Sequence, residues 1–278
     1  MTAVDAKRIN SVDGLARSPL IRLRQDILEA LLGWRAWSAL SLMDIKHRYR
    51  RSVLGPLWIT ISMIVLIAGV GTLYSVLFRL ELREYLPYIA LGDIVWIYFS
   101  TTVQEGCTAF TASDNLIRSI RMPLMAHVMR VVTRAFIVFL HGAVAYIPFA
   151  IYLQTPPELI WLLAVPGAFA VLLFTIPVTA IFGLLSARFR DIQPAVSNVM
   201  QLAFFLTPVI WKADMLGKHR WVADINPIYH FIELVRAPIM GRVPEALSYW
   251  MVGGSIALAF AIAIPLVAWN RHKVAYWV

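Results

Sequence analysis

Basic side chains crowd one short stretch of this 278-residue chain, and their chemistry suits phosphate groups. Lys46, Arg48, Arg50 and Arg51 lie within six positions, and residues 56–78 then carry no formal charge. A helix rises about 1.5 Å per residue, so this uncharged run can cross a hydrocarbon core of about 30 Å. Basic residues beside such a span contact anionic lipid headgroups and mark the cytoplasmic side. The junction therefore predicts a membrane protein, its first span and its orientation.

The motifs of nucleotide, metal and acyl-transfer chemistry are absent from the sequence. There is no Gly-x-x-x-x-Gly-Lys-Ser/Thr phosphate loop, no His-Glu-x-x-His and no Gly-x-Ser-x-Gly, and the six histidines are scattered. The only cysteine, Cys107, excludes an intrachain disulfide. The net charge of +9 is concentrated beside apolar runs, which favours lipid headgroups over nucleic acid as its partner. We therefore expect no enzyme activity, cofactor or metal in this chain, and no nucleic-acid partner.

Two acidic residues, Asp93 and Glu105, lie within or beside the second apolar run. An intramembrane acid is by default a functional candidate, so a proton-coupled secondary transporter is one hypothesis. Twelve helical residues separate the two acids by about 18 Å, which is too far for a shared proton or metal site. Paired broken helices and repeated halves are not visible either. A solvated structural role near the span ends is the alternative.

Composition and hydropathy predict an all-α integral membrane protein. Hydrophobic residues make up 60% of the chain, charged residues 15%, and the mean hydropathy is +0.70. Six spans are expected, at about 57–78, 86–110, 135–154, 159–186, 195–211 and 249–269. With both termini in the cytoplasm, 18 of the 25 Lys and Arg residues lie inside and seven outside. That asymmetry is typical of the positive-inside rule.

The region before the first span is expected to have two parts. Residues 1–19 are polar and are predicted to be flexible. Apolar residues then recur at helical spacing from Leu20 to Met43 among charged ones, which predicts an amphipathic helix at the inner headgroup boundary. A soluble cap packed on the protein's own loops is the alternative. Residues 20–51 thus form an interface helix with the basic junction, and 52–278 form a single transmembrane domain.

Two connections between spans also carry helical patterns. Residues 111–127 predict a short amphipathic helix that stops at Pro123, suited to a groove on a soluble partner or to a plain interfacial connection. The outer segment 212–248 predicts two short re-entrant helices, and Asn226 and Pro227 can begin the second of them.

Polar amides and aromatic rings share helix faces in several spans. Asn198, Gln201 and Phe205 follow i, i+3 and i+7 spacing on the fifth span. Such faces suit a conduit for sugars, which stack on rings and hydrogen-bond to amides, although helix–helix packing also uses these residues. The candidate channel-lining residues are Tyr74, Phe78, Trp96, Phe99, Asn198, Gln201 and Phe205.

Four motifs follow one another along the chain. They are Tyr49-Arg-Arg-Ser-Val-Leu-Gly-Pro-Leu-Trp58, Asn115-Leu-Ile-Arg-Ser-Ile-Arg-Met-Pro123, Phe204-Phe-Leu-Thr-Pro-Val-Ile-Trp211 and Asn226-Pro-Ile-Tyr-His-Phe-Ile-Glu-Leu-Val-Arg236. Together they resemble the permease subunits of polysaccharide ABC exporters, the type-2 family that transports O-antigen, capsule and teichoic-acid polymers. The resemblance covers residues 25–270.

The resemblance implies a pore formed by two copies of this chain in the bacterial inner membrane. Two copies of a separate ABC ATPase would bind ATP and Mg²⁺ below it. The substrate would be a polysaccharide on a polyprenyl diphosphate, whose diphosphate would contact Arg48, Arg50 and Arg51. The segment 212–248 would form paired gate helices. A coupling helix would contact the ATPase through Asn115, Leu116, Ile117, Arg118, Ile120 and Arg121.

Three other functions remain as alternatives at this point. An ABC exporter of a drug or small lipid is the nearest, since it would use the same architecture. A proton-coupled secondary transporter would use Asp93 or Glu105. An integral-membrane enzyme acting on a lipid-linked sugar would need an acid or metal cluster at a membrane face, which the sequence does not contain.

Overall fold

A computed structural model describes residues 18–119 and 122–278, with only the backbone described at Asn115, Arg118 and Ser119. These residues form helices and no strand. The helices are α1 Pro19–Leu32, α2 Trp34–Arg48, α3 Leu57–Phe78, α4 Leu82–Cys107, α5 Asp114–Ser119, α6 Leu124–Tyr152, α7 Ala164–Arg188, α8 Ile192–Leu206, α9 Trp221–Asp224, α10 Pro227–Ile239, α11 Ala246–Asn270 and α12 Val274–Trp277.

The expected interface helix is two helices, α1 and α2, which meet at Gly33. Ser18 begins α1 as its cap and Pro19 occupies the first turn. Glycine is a poor helix former, and here the chain bends at Gly33 while the indole N–H of Trp37 donates 2.8 Å to the Ala30 carbonyl across the break. The two helices pack on α6, and α1 also contacts α11.

Five helices are long and apolar enough to cross a membrane: α3, α4, α6, the helix formed by α7 with its preceding turn, and α11. The fifth expected span is shorter. Helix α8 has 15 residues, which rise about 22 Å, because the chain becomes extended at Thr207 immediately before Pro208. The third expected span begins earlier than residue 135. Helix α6 starts at Leu124, so Arg130 and Arg134 are helical residues rather than parts of a connection.

Helix α4 is the centre of the bundle. It contacts α3, α6, α7, α8 and α10, and its residues from Tyr85 to Phe99 are almost all buried. Phe99 stacks on Phe174 of α7 at 5.8 Å between ring centres. A close approach also joins α7 to α10, since a side chain at Gly167 would lie 2.4 Å from the Leu234 carbonyl oxygen. Helix α4 therefore positions the elements at both ends of the bundle.

The segment between α8 and α11 contains a 3₁₀ stretch, Ala213–His219, followed by α9 and α10. Asn226 caps α10 as expected, accepting a 3.0 Å hydrogen bond from the Ile228 backbone N–H. Helix α10 is buried against α4, α7 and α11. His230 fixes it further, with ring nitrogens 2.9 Å from Ser248 Oγ and 2.7 Å from the Asp224 carbonyl oxygen.

Candidate coupling face and transport surface

An ionic network joins α2 to α6 beside the basic junction. The Arg130 guanidinium binds the Asp44 carboxylate through two hydrogen bonds, of 2.8 and 2.6 Å. Arg134, one turn further along α6, donates to the same carboxylate at 2.7 Å. Burial alone would raise the pKa of Asp44, but the hydrogen bond and charge of Arg130, together with those of Arg134, lower that pKa below its ordinary value. Asp44 is therefore ionised and fixes α2 to α6.

Glu105 extends this network to α4. Its carboxylate accepts hydrogen bonds of 2.8 Å from Arg134 and 2.8 Å from Arg48. The hydrogen bond that Arg48 donates to Glu105 raises the pKa of Arg48. Paired carboxylates and guanidiniums satisfy one another, so Glu105 serves as an ionic link between three helices. This geometry assigns Glu105 a structural contact that the sequence reading offered only as an alternative.

A second link joins α1 to the start of α6. The buried Asp26 carboxylate accepts hydrogen bonds from the backbone N–H groups of Leu124 and Met125, at 3.0 and 2.9 Å. Arg271, which follows α11, donates to Asp26 at 3.0 Å and also to the Arg22 carbonyl. A carboxylate at a helix N-terminus satisfies free backbone donors and the helix dipole together. Asp26 thus caps α6 from a distant part of the chain.

The short helix expected between the second and third spans is present as α5. Leu116 and Ile117 are half-buried, and Ile117 packs on a cluster that includes Leu23 and Phe110. Helix α5 also contacts α12. Of the other expected coupling residues, Ile120 and Arg121 lie outside the described residues, and only the backbone of Asn115 and Arg118 is described.

The three arginines expected to contact a diphosphate differ in their surroundings. Arg48 is bound to Glu105, although its side chain is 51% exposed. Arg50 and Arg51 are exposed, and neither forms an ion pair with another described residue. Arg51 has a left-handed backbone conformation, with φ of 70°. The structure therefore leaves Arg50 and Arg51 available to an anion, while Arg48 already has a partner.

The seven candidate lining residues fall into three groups. Asn198, Gln201 and Phe205 are exposed on one face of α8, as their spacing predicts. Tyr74 and Phe78 are half-buried at the end of α3, with rings 5.4 Å apart. The other two are buried in the core: Trp96 lies 5.4 Å from Phe204, and Phe99 stacks on Phe174. The structure does not bring the seven together on one surface of the chain.

A buried arginine at the other end of the bundle was missed by sequence reasoning. Arg236 is fully buried, bound to Glu233, and donates 2.9 Å to the Pro208 carbonyl. Its guanidinium carbon lies 3.7 Å from the Tyr88 ring centre, within cation–π range. The sequence does contain a signal for this buried arginine, because Arg236 interrupts the apolar pattern of α10. The charge distribution alone groups it with the seven outer basic residues.

Tyrosines of α4 hold the same segment. The Tyr88 hydroxyl contacts the carbonyl oxygens of Pro208 and Trp211, at 3.2 and 2.9 Å, and the Tyr85 hydroxyl donates 2.6 Å to the Ile210 carbonyl. These carbonyls belong to the chain that leaves α8, where no helix can satisfy them. The end of α8 is therefore fixed to α4 and α10 by side-chain donors.

Comparison with known proteins decides the family. Residues 35–240 match the family described as ABC-2 type transporter. The chain belongs to this family. The ABC-2 match begins in α2 and ends just after α10, so it includes the Asp44 network, α5, α8 and Arg236. Asp26 and Arg271 lie outside it.

Named relatives of this ABC-2 protein are also similar over most of their length. An O-antigen export system permease protein RfbA from Klebsiella pneumoniae is 26% identical over 225 residues, covering 80% of this chain and 87% of the relative. An RfbA protein from Myxococcus xanthus with the same description is 31% identical over 220 residues, covering 73% of this chain and 80% of the relative. Both the family and the relatives agree with the resemblance noted from the motifs.

Proposed function

We propose that this chain is the membrane-spanning subunit of an ATP-driven exporter of a lipid-linked polysaccharide of the O-antigen class. The observation that carries the proposal is the similarity to relatives described as O-antigen export permeases over 80% and 87% of their length. An ABC-2 family match over residues 35–240 supports the same mechanism of transport. The bacterial inner membrane is the membrane where such a lipid-linked polymer would be exported.

The energy would come from a separate ATPase that binds ATP and Mg²⁺. Helix α5 is the proposed contact, because it lies between two long membrane helices beside the basic residues that favour the cytoplasmic side. Its Ile117 packs on the bundle, so a displacement of α5 would be transmitted to α1 and to the ends of α4 and α6. The positive-inside rule then places both termini in the cytoplasm and α9 and α10 outside.

Two copies of the chain would form the conduit, each with six spans that include α8. The support is the exposed face of α8. Asn198 and Gln201 are costly to leave in contact with lipid, and a water-filled passage beside a second copy would remove that cost. Phe205 lies on the same face, where its ring can stack on sugars. We place the polymer along this face, and we do not place it against Trp96 and Phe99, which are buried within one subunit.

The lipid diphosphate would bind Arg50 and Arg51 at the inner end of α3. Both side chains are exposed and lack an ion-pair partner among the described residues. Arginine presents a planar fork of N–H donors that matches phosphate oxygens. The Arg48 guanidinium is already bound to Glu105. Arg48 would therefore position the junction, and Arg50 and Arg51 would bind the phosphate.

The deciding experiment is export in a strain that makes a lipid-linked polysaccharide and lacks its own permease. When this chain is supplied together with its active ATPase, it should restore polymer at the cell surface. With an ATPase inactivated at its phosphate loop, it should not. Ile117→Asp should abolish both the restoration and stimulated ATP hydrolysis, whereas Ile117→Leu should retain them. Export that persists with an inactive ATPase and stops when the proton gradient collapses would contradict the proposal.

Two further outcomes separate the remaining alternatives. Asp93→Asn should leave ATP-driven export in place, since the proposal assigns no proton transfer to this buried acid. A chain that confers drug efflux but never returns polymer to the cell surface would be an exporter of small molecules. The substrate class would then be wrong, although membership of the family would stand.

A further inference from the structure

A polar cavity of about 840 Å³ lies at the end of the bundle that carries α9 and α10. Ligand sites in proteins commonly have volumes of about 300–1,000 Å³, so this cavity is large enough for a lipid headgroup or a short sugar. Its wall combines aromatic and charged side chains from α4, from the connection between α6 and α7, and from the segment between α8 and α11. It lies within a single copy of the chain.

An apolar groove of about 1040 Å³ opens from this cavity and runs between α6 and α7. On α6 it extends from Ile151 to Phe136, a helical rise of about 22 Å, which exceeds half of a hydrocarbon core of about 30 Å. Tyr146, Gln154 and Trp161 line both the groove and the cavity. Tyr and Trp are enriched at membrane–water interfaces because their rings have one polar and one apolar edge. The combined site therefore fits an amphiphile.

Five charged side chains on the cavity wall have no ion-pair partner among the described residues. Three are basic, namely Arg83, Lys212 and Arg242, and two are acidic, namely Glu84 and Glu158. The remaining charges of the wall are already paired: Arg220 binds Asp214 at 3.1 Å and Glu245 at 2.5 Å, and Glu233 binds Arg236. The available groups thus include both cations and carboxylates.

We propose that this site binds one phospholipid with a zwitterionic, phosphate-and-ammonium headgroup. One acyl chain lies in the groove between α6 and α7, and the ammonium contacts Glu84 and Glu158. The phosphate contacts Lys212 and Arg242, together with Arg83, which also donates 3.1 Å to the Leu153 carbonyl. An anionic headgroup would contact the cations but would offer no cationic group to the exposed carboxylates of Glu84 and Glu158. A free sugar would use the cavity and leave the apolar groove without a role. The proposal concerns a resident lipid and is independent of which polymer is exported.

The test is lipid retention by the full chain, purified in a mild detergent and measured by native mass spectrometry. The protein is first reconstituted with equal amounts of phosphatidylethanolamine and phosphatidylglycerol, and it is then extracted from these membranes in the mild detergent. One phosphatidylethanolamine per chain should be retained. A photoreactive phosphatidylethanolamine with its reactive group on the acyl chain should label peptides of α6 and α7. Retention of phosphatidylglycerol or a polyprenyl phosphate instead, or labelling spread evenly over all lipid-facing helices, would overturn the proposal.

Variants locate the two halves of the site. Ala143→Trp fills the groove and should lower retention about tenfold, equivalent to about 1.4 kcal/mol of binding. Its control is Ala261→Trp, at an exposed alanine of α11 outside the groove. Glu158→Gln should reduce the preference for the ethanolamine lipid over the glycerol lipid, whereas Lys218→Gln, outside the cavity, should not.

Folding is checked separately for each variant by its elution as a single species. If Ala143→Trp does not fold, the photolabelling of the unmodified protein still decides the location of the site. Equal retention in Ala143→Trp and Ala261→Trp, with both folded, would mean that the groove holds no specific lipid. Loss of retention in the groove variant alone, with export of the polymer unchanged or changed, would support it.

Discussion

Asp26 accepts a 3.0 Å hydrogen bond from the backbone N–H of Leu124, and so a residue of α1 closes the N-terminus of α6. Asp26→Ala should leave the backbone N–H groups of Leu124 and Met125 without their acceptor, and Arg271 would keep only the Arg22 carbonyl. We expect the free energy of unfolding to fall by about 2–4 kcal/mol. Hydrogen exchange at Leu124 and Met125 should become faster than in the unmodified protein, while α7 should change little.

The matched control for this prediction is Glu29→Ala, which removes an exposed carboxylate from the same helix and should cost less than about 0.5 kcal/mol. Asp26→Asn should give an intermediate loss, because an amide keeps one acceptor oxygen. Unchanged exchange at the start of α6 in Asp26→Ala would show that the cap does not stabilise that helix in the membrane protein.

The lowered pKa of Asp44 gives a direction to the pH dependence of stability. Since the folded-state pKa lies below the ordinary value of 3.8, the ionised network stabilises the protein above that pH and the stabilisation is lost as the pH falls through the folded-state pKa. Asp44→Asn should be less stable by about 1–2 kcal/mol near neutral pH.

Thermal unfolding in detergent, followed from about pH 6 to about pH 3, measures the effect of Asp44→Asn. The difference from the unmodified protein should shrink at the acidic end, where Asp44 itself becomes protonated. Glu29→Gln provides a carboxylate control without an ion pair among the described residues. A stability difference between Asp44→Asn and the unmodified protein that grows as the pH falls would contradict the prediction, and Asp44 would then not anchor α2.

Replacement of Arg236 tests whether the end of α8 is fixed from α10. Arg236→Ala leaves the Glu233 carboxylate without its donor and leaves the Pro208 carbonyl with the Tyr88 hydroxyl alone, and we expect a loss of about 3–5 kcal/mol. Arg236→Lys should recover little, because an ammonium cannot reproduce the guanidinium fork and its contact with the Tyr88 ring. Urea or thermal unfolding gives the comparison, with exposed Arg242→Lys as the control. Stability in Arg236→Lys equal to that of the unmodified protein would contradict the prediction.

Two phenylalanines separate packing from transport. Phe99 is 6% exposed and Phe205 is 62% exposed. Phe99→Ala should cost about 3–5 kcal/mol of stability through the cavity it leaves. Phe205→Ala should change stability by less than about 0.5 kcal/mol and should lower the rate of polymer export per folded transporter. If Phe205→Ala exports at the normal rate while folding normally, the exposed face of α8 is not the polymer surface.

Local sequence signals predicted a helix well where the interactions that form it are also local in the sequence. The uncharged run after the basic junction is α3, and the Asn226-Pro227 pair begins α10 with the expected cap. Both depend on interactions within a few residues. The N-terminal region is helical as predicted, although the pattern could not show that the chain divides at Gly33 into two helices.

The errors arose where charged residues have distant partners. Arg130 and Arg134 fall in a predicted connection because they precede the uncharged run that begins at residue 135. Their carboxylate partner Asp44 lies 86 and 90 residues away, so α6 can begin earlier with its charges paired. The charge pattern also gives no sign that Arg236 is buried, because Tyr88 and Pro208, which surround it with Glu233, are distant in the sequence. A single sequence does not contain the spatial information that pairs such groups.

The contact between Asp26 and Arg271 has a consequence for biogenesis. These residues are 245 positions apart, and Arg271 follows the last long helix of the chain. On the ribosome, α1 is synthesised first but its arginine partner emerges only after all the membrane helices have been made. This end of the bundle is therefore completed late, and a chain truncated before Arg271 would insert its helices with the Asp26 carboxylate lacking that arginine. Such a shortened protein should be a preferred substrate for membrane quality-control proteases.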